Sequence, residues 1–132
     1  MSDLRPDESR DITFGFTWPQ FLFAKGEVLA HLGDHQEAHR TLAEAAVLYL
    51  PDNRVERVLI RLDQSLCWAE TGDFGHALRI AETAVRGLPR EHRVSLVMNR
   101  ARRLGTLIEE RGGLGPRLSG FAAMTGRHLD VC

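Results

Sequence analysis

Gly33-Asp34-His35-Gln36-Glu37-Ala38-His39-Arg40-Thr41-Leu42-Ala43-Glu44-Ala45-Ala46 returns 39 residues downstream (33 to 72) as Gly72-Asp73-Phe74-Gly75-His76-Ala77-Leu78-Arg79-Ile80-Ala81-Glu82-Thr83-Ala84-Val85. Each copy opens on Gly-Asp and keeps apolar residues in register: Ala38 with Ala77, Leu42 with Ala81, Ala45 with Ala84, Ala46 with Val85, Tyr49 with Leu88. Self-similarity at a period of a few tens of residues marks repeated supersecondary units, here stacked pairs of helices.

Working outward, Gly33 supplies a tight helix exit, and Asp34 with Glu37 forms a capping-box pattern that opens a helix over about 35–50. Its apolar positions Ala38, Leu42, Ala45, Ala46 and Tyr49 share one face at 3.6 residues per turn, and Pro51-Asp52-Asn53 ends it. The preceding helix starts at Trp18-Pro19, where proline costs little, and runs to about Leu32. The second pair repeats the plan as Arg57 to Thr71 and Phe74 to Leu88, with Pro89 as the stop. Asp73 has no acidic residue three positions on, so its cap is the weaker of the two. A fifth helix is predicted over about 91–110, with Val94, Val97, Ala101, Leu104 and Ile108 as its buried stripe and Gly112-Gly113 as its end. Leu118, Phe121, Ala122, Thr125 and Leu129 would line one face of a short last helix, against about 1 kcal/mol each for Gly120 and Gly126 in its interior. The expected fold is therefore all-α: antiparallel helix-pair repeats, two pairs and a capping helix, over residues 17–111. A flexible N-terminal arm occupies 1–16, and a tail that would hold at most a short helix occupies 112–132.

Composition agrees with one helical domain: 132 residues, 43% hydrophobic and 27% charged, few aromatics and many alanines. A formal net charge of −1 speaks against a nucleic-acid or anionic-membrane partner. The chain's 17 basic residues include a single lysine, Lys25, a bias that genome composition would also produce. Two cysteines, Cys67 and Cys132, make no disulfide framework and suit a reducing cytoplasm. No apolar run approaches the roughly 20 residues that span a bilayer.

The small residues Gly26, Ala38 and Ala45 with Pro51, then Ser65, Ala77 and Ala84 with Pro89, resemble tetratricopeptide repeats, at a spacing longer than the usual 34 or so. The stretch Arg61-Leu62-Asp63-Gln64-Ser65-Leu66-Cys67-Trp68-Ala69-Glu70-Thr71-Gly72-Asp73, followed by Leu88-Pro89-Arg90-Glu91-His92-Arg93, is similar to the C-terminal repeat region of actinobacterial Xre-type helix-turn-helix regulators. That resemblance implies a peptide- or ligand-sensing, dimerising module; residues before Trp18 leave no room for a DNA-reading domain, so direct operator binding is not expected. It also implies that Gln20, Phe23, Glu27 and His31, and in the second pair Leu59, Leu62, Leu66 and Glu70, face a concave surface suited to an extended peptide or partner helix. The same apolar positions would serve equally as core or as a dimer seam.

Other constellations are weaker. His31, His35 and His39 recur every four residues, but Gly33-Asp34 interrupts the helix they would need to chelate a metal. Cys67 near Asp63 and His76 has no recognisable catalytic spacing and reads as core. Arg93, Arg100 and Arg103 would share one side of the fifth helix, a solvated face or a phosphate contact. The sequence thus suggests a non-enzymatic interaction module in a regulatory pathway, without metal or cofactor, binding a peptide or protein and able to form a homodimer through Trp68, Phe74 and the N-terminal phenylalanines Phe14 and Phe16. A small-molecule sensor and an accessory or catalytic protein of a biosynthetic pathway are the alternatives.

Overall fold

A computed structural model of the protein describes residues 17–112 and 115–126. These residues form six α-helices and no strand: α1 (Trp18–His31), α2 (His35–Leu48), α3 (Arg54–Glu70), α4 (Phe74–Arg86), α5 (Ser95–Glu110) and α6 (Gly115–Met124), with one 3-10 turn at Arg90–His92. The arm over 1–16, including Phe14 and Phe16, lies outside the described residues, as do Gly113, Leu129 and Cys132.

Where the sequence suggests one repeat domain over 17–111, packing divides the chain into two compact units, residues 1–53 and 54–132. In the first, α1 packs against α2; in the second, α3 packs against α4 and α5, and α6 packs against α5 and α4. The division falls where Leu50 and Asn53 close a turn reciprocally, the Asn53 N–H donating to the Leu50 carbonyl (2.9 Å) and the Leu50 N–H to Asn53 Oδ1 (3.1 Å). α3 accordingly starts at Arg54, three residues before the predicted Arg57.

The two Gly-Asp turns are alike bond for bond. Gly33 and Gly72 hold φ of 87° and 94°, a left-handed conformation that glycine adopts without a Cβ penalty. In the first turn Gly33 N–H donates to Ala30 O and Asp34 N–H to Leu29 O; in the second Gly72 N–H donates to Ala69 O and Asp73 N–H to Trp68 O, all at 2.9–3.1 Å. This is the pair of nested bonds that satisfies the last carbonyls of a helix. Each aspartate then caps the next helix, Asp34 accepting from Glu37 N–H at 3.3 Å and Asp73 from His76 N–H at 3.2 Å. The Asp73 cap therefore forms as well as the other, because the backbone amide, not an acidic side chain, is what it bonds. Glu37 itself faces Arg40 at 3.3 Å. The full capping box stands at α1, where Gln20 N–H donates to Thr17 Oγ1 and Thr17 N–H to Gln20 Oε1.

Ala38, Leu42 and Ala45 of α2, and Ala77, Ala81 and Val85 of α4, are buried as their spacing predicts, while Ala46, Tyr49 and Ala84 are half-buried. Gly26 lets α2 approach α1 closely: a Cβ there would stand 2.7 Å from Leu42 Cγ and Cδ2. The counterparts 39 residues on, Ser65 and Ala81, are both fully buried.

Two elements depart from the sequence reading. The fifth helix does not begin near Glu91: Pro89 is followed by the 3-10 turn, and Arg93 (ψ 67°) and Val94 (extended) break the path before Ser95. Val94 is consequently the exposed N-cap of α5, not part of the stripe formed by Val97, Ala101, Leu104 and Ile108. The short last helix does form, because Leu118, Phe121 and Ala122 bury their side chains and Thr125 is buried at its end. Gly120 lies on its exposed face and Gly126, at φ 78°, lies beyond it.

Candidate functional site

The eight candidate residues fall in two sets of four with identical spacing on the first helix of each pair. Gln20, Phe23, Glu27 and His31 lie on α1, and Leu59, Leu62, Leu66 and Glu70 on α3. The sets belong to different units. Spacings of three, four and four residues bring the members of each set onto one helix face.

Within the first set, His31 and Gln20 are exposed while Phe23 and Glu27 are half-buried. The Gln20 side-chain carbonyl is held by the Thr17 cap. Within the second set, Leu59 and Leu62 are buried, Leu62 completely, and are core side chains as they stand. Leu66 is half-buried and Glu70 is exposed. Glu70 already has a partner, since Arg111 reaches across from the end of α5 to its carboxylate at 3.0 Å.

That contact belongs to a set of arginines that tie the second unit together. Arg100 of α5 meets Asp63 of α3 at 2.7 Å, both side chains largely buried. Arg102 Nε donates to the Thr125 carbonyl at the end of α6 (2.9 Å), Arg93 Nε to the Leu88 carbonyl (2.9 Å), and Arg117 of α6 lies 3.6 Å from Glu82 of α4. Arg93 and Arg100 therefore do not join the exposed Arg103 in an open cationic stripe. The guanidinium fork suits this work, because it reaches a carboxylate or carbonyl from a neighbouring helix while its stem covers apolar surface. Asp63 carried a signal in the sequence: it lies four residues from both Leu59 and Cys67, on a face that is otherwise apolar. An acid there needs a buried partner.

Cys67 is buried, and its thiol is pushed up to about 11 by burial first, then by the negative charges of Asp63 and Glu70. It stays protonated at neutral pH, the reverse of the thiolate that nucleophilic chemistry needs. His76 packs edge-on against Trp68, ring centroids 4.6 Å apart, and so braces the α3–α4 turn. Among the described residues no three His, Cys, Asp or Glu side chains converge as a metal site, and no helix is long and apolar enough to cross a membrane. His35 Nδ1 and Thr41 Oγ1 are buried without a hydrogen-bond partner.

What the packing defines, among the described residues, is an all-helical architecture with two helix hairpins that share one turn design. No protein-family model, curated protein or solved structure matches the chain.

Proposed function

We propose that the protein is a cytoplasmic, non-enzymatic interaction module of tetratricopeptide-like type, in which the first helix of each pair offers a face to a peptide or protein partner in a regulatory pathway. One observation carries this reading: Gly33-Asp34 and Gly72-Asp73 make the same bonds 39 residues apart, so α1 and α3 are equivalent first helices and their two sets of four occupy equivalent faces. Phe23 and Leu66, both half-buried, supply apolar contact, and His31 and Glu27 supply polar orientation. Leu59 and Leu62 support the α3 face from the core of their own unit. The similarity of Arg61 to Asp73 to the repeat region of Xre-type regulators motivates the regulatory setting and self-association as a second property.

The test is quantitative partner capture with the full chain, with a Phe23→Ala/His31→Ala variant and with Leu66→Ala. Leu62→Arg is unsuitable, because a charge at a fully buried position would unfold the unit. Helical variants that lose the captured partners support the proposal. Variants that fold normally and keep every partner refute it.

A further inference from the structure

α1 carries a second face that the Gln20-Phe23-Glu27-His31 set does not use. Trp18, Phe21, Lys25, Val28 and Leu32 follow one another at three, four, three and four residues, the a/d spacing of a heptad seam. At about 100° per residue this line lies roughly 135° around the helix from the first set. It is open: Phe21 is 45% exposed, Val28 56% and Leu32 75%. Trp18 and Phe21 stack at 5.5 Å, forming an aromatic platform at one end. Lys25, the only lysine in the chain, is exposed at the middle of the line.

We infer that this face is a docking seam for an amphipathic helix of a partner protein that sets a carboxylate against Lys25. The seam is about 21 Å long at 1.5 Å per residue, two heptads, which matches a short helix of the partner. Its charge decides among occupants. A second copy brings no acid to the seam: in a parallel pair two Lys25 ammonium groups face each other within the apolar strip, and in an antiparallel pair, where a faces d, each Lys25 lies against Phe21 or Val28. A single charged residue at a central a position selects register and partner in this way, by penalising the wrong pairing as well as rewarding the right one. An acid opposite Lys25 satisfies it, while Val28 and Leu32 on one side and Phe21 and Trp18 on the other supply the apolar burial.

The seam is tested with two fluorescent synthetic three-heptad peptides, with leucine at a and d and either glutamate or lysine at the central a position, titrated into the full chain by anisotropy. The glutamate peptide binds about tenfold more tightly than the lysine peptide, Lys25→Glu inverts that preference, and Val28→Glu removes binding of both. Phe23→Ala, on the other face, leaves these affinities unchanged, which separates this inference from the partner face proposed above. Absence of binding by the glutamate peptide, equal affinities, or a failure of Lys25→Glu to invert them overturns the inference. So does a homodimer that Val28→Glu dissociates, which would assign the seam to a second copy.

Discussion

Gly26→Ala reverses the usual effect of replacing a helical glycine, and the reversal can be worked from one contact. In an open helix interior this change stabilises by about 1 kcal/mol, since alanine loses less backbone freedom on folding. At position 26 the added methyl would stand 2.7 Å from both Cγ and Cδ2 of Leu42, a fully buried side chain with no solvent to move into. Relief requires Leu42 to leave its rotamer or α1 to move away from α2, an overpacking cost of about 1–3 kcal/mol. The two effects oppose each other, and the steric one wins by up to about 2 kcal/mol. Urea unfolding followed by far-UV circular dichroism reads this as a lower midpoint at unchanged slope. Leu42→Ala alone opens a cavity and costs about 2–5 kcal/mol, but combined with Gly26→Ala the new methyl partly fills that space, so the double variant is more stable than the sum of the single effects. A Gly26→Ala protein more stable than the parent would show that α1 and α2 do not approach as described.

Thr41→Val should stabilise by about 1 kcal/mol in the same assay, because it removes a buried hydroxyl that has no partner and preserves shape; a loss of stability would show that the hydroxyl is bonded. Arg100→Leu should cost about 3 kcal/mol by leaving the Asp63 carboxylate buried without its guanidinium, and adding Asp63→Leu should recover much of that. Recovery is absent if the pair is not buried. Cys67 in a Cys132→Ser background should resist thiol reagents at pH 8 until denaturant is added, since the thiol is buried; rapid labelling of the folded protein would place it at the surface. Its folded-state value of about 11 lies above the ordinary 9.0, so the unfolded chain loses this proton first. The contribution is intact below pH 9 and is lost as pH rises towards 11, a slope that Cys67→Ala should remove from the alkaline unfolding profile.

Much of the helical plan was legible because it is written in short-range chemistry. Glycine followed by aspartate specifies both an exit and an entry, and the apolar residues at 38, 42, 45 and at 77, 81, 85 fall on one helical face whatever lies around them. Three features needed tertiary information. The α6 segment looked poor by propensity, yet burying Leu118, Phe121 and Ala122 outweighs the glycine cost. Val94 fitted the α5 period, but Pro89 and the extended backbone at Val94 moved the helix start to Ser95. Arg93, Arg100 and Arg103 fit one side of a helix by spacing, but Arg93 lies before α5 and donates to the Leu88 carbonyl, and Arg100 reaches Asp63. On the candidate faces, sequence spacing alone could not separate Leu62, sealed in the core, from Leu66, which retains an accessible edge.

The central claim, that two hairpins are built to one plan, is tested most directly by nuclear Overhauser contacts across each pair. Proton contacts are predicted between Gly26 Hα and the Leu42 methyls and, at the equivalent place, between Ser65 Hβ and the Ala81 methyl. Finding the first contact without the second would mean that the resemblance ends at the turns and that α1 and α3 are not equivalent helices.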